Sequence, residues 1–393
     1  MVGERPDLRY RYPLGVRILI ILALLLVPAY YALMLILGLC FVALGIGPLV
    51  ASAYILVNSP ILFRVAGVVG ICGVFSFLGA LALARAVVLS FRTPAALEPA
   101  IWINKNRETA LTALIDEMCA IMGARKPDAV ILQVGTDCFV AQRELTVLNA
   151  NPRGRILCLG LGLLGCLNIR ELRAVIAHEF AHFIGGDLLY SAIVLRAFVG
   201  IDATGRALVD VYDRSGRLAR LFSYIPFRLC ILIMGLFFYT LLRIDRRVNR
   251  ARELRADALA ARVCGTLALS DALRKSHAYG LMFNTAVFHI EEKRQAARKL
   301  DANILRLWRK NLQNLAPDAQ RILEDVLAQP TDKFDSHPSL RERIDSLPPV
   351  PNRFDDAQPS LSLIKDLARY EKMAGDFLAN EHQLAKRYEQ RGF

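Results

Sequence analysis

The feature that most limits what this chain can fold into is a forty-residue run, Ile18–Val57, without a single charged side chain. A second uncharged run covers Val65–Ala84. About 20 apolar residues suffice to cross the hydrocarbon core of a bilayer. A cleaved signal peptide fits poorly, because its apolar core would be only about 7–15 residues long. The first run has room for one long tilted helix or two short ones, with Pro28, Gly45, Gly47 and Pro48 as break points. Asn58-Ser59-Pro60 reads as a turn. We expect a hairpin of two spans, roughly Ile18–Leu44 and Val65–Leu89.

Arginines and lysine flank the hairpin. Arg5, Arg9, Arg11 and Arg17 precede it, and Arg85, Arg92, Lys105 and Arg107 follow it, whereas the connector carries only Arg64. The positive-inside rule places both ends in the cytoplasm. The chain's net charge of +13 fits attraction to an anionic leaflet. No nucleic-acid-binding module is visible, so nucleic acid is not an expected partner. The eight cysteines contain no close CxxC pair. They read as small core residues in a reducing compartment, not as a disulfide frame.

The remainder of the 393 residues is long enough for a catalytic domain. Leu111, Leu114, Ile115 and Met118 share a helical face within Glu108–Met122. Ala129–Val134, Cys138–Gln142 and Ile156–Leu159 read as short strands, with a turn over Asn149–Gly154. Asn168 with Glu171 three residues on is a capping-box signal, and Leu172, Val175, Ile176 and Phe180 continue with helical spacing. Gly185-Gly186 ends that helix. A second long helix is expected over about Phe227–Val263, greasy over Leu229–Leu242 and then very basic. A Pro-rich break at Leu347–Pro351 precedes a last helix, about Ser360–Tyr388.

The helix after Asn168 carries His178-Glu179-Phe180-Ala181-His182. Histidines at i and i+4 differ by about 40° of rotation and about 6 Å of rise, so both rings face one point. Two neutral imidazoles suit zinc, and the intervening Glu179 suits a general base for a metal-activated water. By itself the pattern also fits two histidines that cap or pack on a helix, and a zinc site needs a third protein ligand. Glu253 and Asp257 lie at i and i+4 in Arg252-Glu253-Leu254-Arg255-Ala256-Asp257, about 70 residues downstream. Alone they would pair with neighbouring arginines. Beside the histidine motif, they suit a ligand and a carboxylate that orients another ligand.

These residues, with Asp187 and Ser336-His337-Pro338-Ser339-Leu340-Arg341-Glu342-Arg343, resemble the membrane-associated zinc metallopeptidases (gluzincins) that include HtpX and the CAAX prenyl endopeptidase. The likeness covers roughly residues 100–348. It implies that His178, His182 and Glu253 bind one Zn2+ per chain and that Glu179 is the base. It implies that Asp257 supports a zinc-binding histidine and that His337 and Arg343 stabilise the oxyanion. Asp187 would be a structural carboxylate near the metal helix, and the strand around Phe139–Arg143 would be an edge that pairs with an extended peptide. Ala181 replaces the family's common glycine, and the family's Asn-Ala edge-strand signal is not clear here. His277, His289 and His382 belong to no motif and read as surface or packing residues.

The expected fold is therefore mostly α with a small β-sheet. It divides into a cytoplasmic segment 1–17, a transmembrane hairpin 18–92, a zincin-like metallopeptidase domain 93–348 and a helical tail 349–393. The expected function is an integral-membrane zinc endopeptidase with its catalytic domain on the cytoplasmic side, acting on protein or peptide substrates, membrane proteins among them. A zinc-stabilised scaffold or chaperone-like protein is the alternative, but such a site needs no base at 179. One topological condition follows. His182 and Glu253 must reach the same metal, so an even number of crossings separates them. Leu229–Leu242 is only 14 residues, and Arg196 interrupts Leu188–Ile201. We therefore expect no crossing there, with two as the alternative.

Overall fold

The computed structural model describes residues 8, 10–90, 99–214, 217–297 and 304–377. The uncharged runs form two helices, α1 (Leu14–Asn58) and α2 (Phe63–Ser90), joined by a short 3-10 turn. The hairpin is present, but α1 runs on past the expected end at Leu44. Pro28 and Pro48 lie inside it without ending it. Each proline removes one backbone donor, yet in apolar surroundings no water competes for the bonds that remain. At 1.5 Å per residue, α1 is about 67 Å long, roughly twice the hydrocarbon thickness. Small residues let the helices close up. A Cβ on Gly73 would stand 2.8 Å from the Gly45 carbonyl oxygen. Ser52 Oγ donates to the Ala66 carbonyl at 2.7 Å. Such packing is the usual route to helix association where apolar contact gives no advantage over lipid.

A small sheet follows, built from β1 (Ala100–Trp102), β2 (Ala129–Gln133), β3 (Phe139–Gln142) and β4 (Arg155–Gly160), with α3 (Thr109–Met122) between the first two. The order is β1-β2-β4-β3, with β2 and β4 parallel and the outer pairs antiparallel. Three of the four strands match the sequence reading to within two residues. β1 has only three residues and was not foreseen. Side chains alternate between two apolar layers. Val130, Leu132, Leu157 and Leu159 enter the main core, and Ala129, Ile131, Ile156 and Cys158 the opposite one. Asn149 covers β1, accepting from the Trp102 amide at 2.8 Å and donating to its carbonyl at 2.9 Å. β3 lies at the other edge.

The rest is helical: α4 (Leu161–Leu164), α5 (Ile169–Ile184), α6 (Asp187–Arg214), α7 (Arg217–Cys264), α8 (Thr266–Ala297), α9 (Ile304–Ala328) and α10 (Leu340–Asp345). Among the described residues four helices are long and apolar enough to cross a membrane: α1, α2, α6 and α7. This corrects the premise for expecting no crossing between His182 and Glu253. The 14 apolar residues are part of a 48-residue helix, and Arg196 sits within a 28-residue one.

The chain forms two compact units, one of Met1–Tyr12, Pro94–Leu188 and Asn249–Phe393, the other of Pro13–Thr93 and Leu189–Val248. The division differs from the expected one in two ways. α6 and α7 contribute their apolar parts to the hairpin's unit. There Tyr30, Met34 and Leu83 pack with Val194, Ala197, Met234 and Leu241, and the buried Tyr30 hydroxyl bonds Thr204 Oγ1 at 2.9 Å. The tail belongs to the unit that holds the sheet. The Ser360 amide donates to the Leu167 carbonyl at 3.0 Å, and Ile364, Tyr370 and Ala374 enter the main core. The expected single helix from Ser360 is a 3-10 turn, Ser360–Leu363, then a break, then helix over 367–377. The break has a cause: the buried Glu108 carboxylate accepts from the Lys365 and Asp366 amides at 2.6 and 3.1 Å. The part of that expectation beyond 377 lies outside the described residues.

Candidate metal centre

The centre is built on α5, whose start is fixed locally. The Asn168 side chain accepts from the Glu171 amide at 2.8 Å, and the Asn168 amide donates to the Glu171 carboxylate at 2.9 Å. Lys275 donates to both oxygens of buried Glu171. The capping box sets the phase of the helix, which puts His178 and His182 on one side.

The His178 Nε2 and His182 Nε2 atoms lie 3.2 Å apart. Glu253, on α7, places Oε2 3.5 Å from His178 Nε2 and Oε1 3.6 Å from His182 Nε2. Four N/O ligands held tetrahedrally at about 2.0–2.1 Å stand about 3.3–3.4 Å from one another. The observed triangle therefore has the dimensions of a zinc site, and these three residues form a group able to hold a metal ion.

The far sides of the rings point to the same chemistry. His178 Nδ1 is 2.9 Å from Asp257 Oδ1, and His182 Nδ1 is 2.9 Å from Asp187 Oδ2. A carboxylate calls for N–H at Nδ1, which leaves a lone pair on each Nε2. Two lone pairs and a carboxylate then face one point and repel unless a cation or proton lies between them. Burial opposes charge on His178, but its hydrogen bonds to the Asp257 and Glu253 carboxylates outweigh it and push its pKa up to about 10. Buried Glu179 lies one residue on. Its carboxyl is raised above the ordinary value by burial, with His178 and His182 opposing.

The two remaining candidates from the sequence are placed differently. Arg343 is 8% exposed and grips Asp257 with both arms of its fork, Nε to Oδ2 and Nη2 to Oδ1, each at 2.7 Å. Its Nη2 is 3.6 Å from Glu253. Ser339 caps α10 and so sets the start of the helix that carries Arg343. His337 is 62% exposed, with Nδ1 3.4 Å from Glu253 Oε2. His277 is half-buried, and its Nδ1 donates to the Leu273 carbonyl at 2.9 Å. The side chain of His289, and His382, lie outside the described set.

Comparison with known proteins adds the family. The profile of peptidase family M48 matches residues 107–349, more than half of the chain. The chain belongs to peptidase family M48. Proteins described as "Protease HtpX homolog" from Burkholderia mallei (strain SAVP1), Burkholderia pseudomallei (strain 668) and Burkholderia thailandensis are each 32% identical to it over 199 residues. The alignment covers 49% of this chain and 59% of each relative. No solved structure matches. The M48 match takes in the histidine motif, Asp187, Glu253, Asp257, His337 and Arg343.

Within this M48 region the sequence reading missed a polar cluster behind His182. Arg255 Nη2 donates to Asp187 Oδ2 and to the Ala181 carbonyl, both at 2.8 Å. Arg252 Nη2 donates to the Asp187 carbonyl at 2.9 Å, and its Nε lies 3.2 Å from Asp187 Oδ1. Gly185 does more than end α5. A Cβ there would collide with the Arg255 guanidinium. Gly186 takes the left-handed turn into α6 at φ +71°. A glycine pair at a helix end also reads as a plain stop signal, and nothing local marks it as room for an arginine 70 residues away.

Proposed function

We propose that this chain is a membrane-bound zinc endopeptidase that hydrolyses peptide bonds in membrane or membrane-proximal proteins. One observation carries the reading: two imidazole nitrogens and one carboxylate meet at 3.2–3.6 Å, with a carboxyl one residue from the first histidine. In this reading His178, His182 and Glu253 hold one Zn2+ per chain. Three protein ligands are the number found in catalytic sites, where structural sites have four. Zinc supplies a Lewis acid there, acidifying water and polarising a peptide carbonyl.

The chain's own residues handle protons and position. Glu179 takes a proton from water as the water oxygen bonds to the carbonyl carbon. It then delivers that proton to the amine nitrogen as the C–N bond breaks. A carboxyl raised by burial suits both steps, since its pKa moves towards neutrality. Asp257 and Asp187 hold the two imidazoles by their Nδ1 atoms. His337 is exposed and serves as the donor to the carbonyl oxygen as it gains negative charge. Arg343, spent on Asp257, supports that charge from behind. An extended substrate adds to the edge strand β3.

The proposed topology has α1, α2, α6 and α7 crossing the bilayer, with the metal centre in the cytoplasm. Because His182 and Glu253 meet, crossings between them come in pairs, and α6 outward with α7 returning meets the condition. Arg243, Arg246, Arg247 and Arg250 follow the apolar part of α7, as the positive-inside rule requires of a cytoplasmic end.

Metal content and casein cleavage in detergent test the reading together. Wild type is expected to hold one zinc and to cleave. Glu179→Gln should keep the zinc and lose about 10²–10⁴-fold in kcat. Equal cleavage by the Gln variant would refute Glu179 as the base.

A further inference from the structure

The segment ahead of α1 is tied to the metal centre through one aromatic ring. Leu8 and Tyr10 pack on the main core. Tyr12 makes an edge contact with Tyr10, ring centroids 5.7 Å apart, and its ring lies 5.5 Å from the Arg255 guanidinium carbon. Arg255 is buried. It reaches Asp187 Oδ2, the same oxygen that His182 Nδ1 contacts, and the Ala181 carbonyl. A side chain at 185 would occupy the space the guanidinium uses, so Arg255 depends on an open position at 185. The Tyr12 hydroxyl is buried and has no hydrogen-bond partner among the described residues. What the position uses is the ring.

We propose that Tyr12 is a positioning residue for the metal centre: its ring seats Arg255 on Asp187, and Asp187 in turn orients His182. The inference rests on the metallopeptidase reading above. It also gives the segment before the first apolar helix a task, since Tyr12 stands two residues ahead of Leu14, where α1 begins. A guanidinium over an aromatic face is attracted by the ring quadrupole, most strongly when both are out of water. Partners that orient a metal-binding histidine commonly change metal affinity by about 10–100-fold when removed. Tyr12 acts one contact further out, so a smaller effect follows.

The test measures zinc affinity by chelator competition on the full chain in detergent, alongside kcat and KM. Tyr12→Leu should weaken zinc binding by about three- to tenfold and lower kcat with KM little changed. Tyr12→Phe, which keeps the ring, should restore both. Leu8→Ala removes packing of the same segment on the main core and should leave zinc affinity at the wild-type value. Arg255→Lys provides the second arm should Tyr12→Leu fail to fold. If the ring acts through the guanidinium, Arg255→Lys by itself weakens zinc binding by about threefold or more, and a foldable Tyr12→Leu/Arg255→Lys pair is no weaker than Arg255→Lys alone; wild-type zinc affinity in Arg255→Lys would overturn the proposal. Wild-type zinc affinity and kcat in Tyr12→Leu, or fully additive losses in the pair, would overturn the proposal. Either result with wild type binding zinc and cleaving leaves the peptidase reading intact. A wild type without zinc or cleavage fails that reading instead.

Discussion

The two halves of α7 are built in opposite senses. Over residues 229–239 the outward residues are apolar: Leu232 is 69% exposed and Leu236 68%, with Leu229 and Tyr239 also outward. In the second half charged residues turn inward among the apolar ones: Arg252, Arg255 and Asp257 are 8, 5 and 0% exposed. One continuous helix therefore serves two surroundings. Leucines facing outward cost nothing in hydrocarbon and a good deal in water. Charges facing inward are tolerable only with partners, and each has them: Asp257 with Arg343 and His178, Arg255 with Asp187. The change comes within the few residues that separate Leu241 from Asn249. There the helix passes from the apolar unit to the one that holds His178, His182 and Glu253.

The comparison breaks most severely at Asp257. Asp257→Ala leaves the buried Arg343 fork without its carboxylate and His178 without its Nδ1 partner. We expect a loss of about 3–5 kcal/mol in stability, read by denaturant unfolding in detergent. A change under 1 kcal/mol would mean that the charged half does not depend on its pairing. The next largest effect belongs to the apolar half. Leu236→Arg should raise the cost of membrane insertion by about 2.5–3.5 kcal/mol, measured as the inserted fraction of α7 in a glycosylation-mapping assay. Unchanged insertion would place Leu236 away from lipid. The smallest effect tests how the apolar unit is held. Tyr30→Phe deletes a buried bond to Thr204 and should cost about 0.6–1.7 kcal/mol, seen as a small drop in thermal midpoint. No drop would show that bond to be dispensable.

The same contrast explains what was legible in the sequence. α5 was readable almost to the residue because its signals are local: a cap at Asn168, its return from Glu171, apolar spacing, then two glycines. The grouping of His178 with His182 follows from helical geometry alone. Glu253 is 71 residues from His182, and only the presence of a first metal motif made its carboxylate conspicuous. α6 was undervalued because Arg196 interrupts its apolar start and its second half is charged. Short windows judge such a helix by its worst residue, whereas its fate depends on what packs against Val194, Ala197 and Ile201. The Arg255–Asp187–His182 chain and its Tyr12 neighbour were invisible for a different reason. Their contacts join residues from the N-terminal segment, α5, α6 and α7, and no periodicity links them. β1 was lost to brevity, since three residues carry no alternation.

The group formed by His178, His182 and Glu253 is where a metal should sit. X-ray absorption at the zinc edge on the purified full chain, compared with Glu253→Ala, tests it most directly. One zinc per chain is expected, with only N/O ligands at about 2.0–2.2 Å, two of them imidazoles, and with that metal lost in Glu253→Ala. A wild type without zinc, a sulfur-bound zinc, or an unchanged spectrum in Glu253→Ala would contradict it.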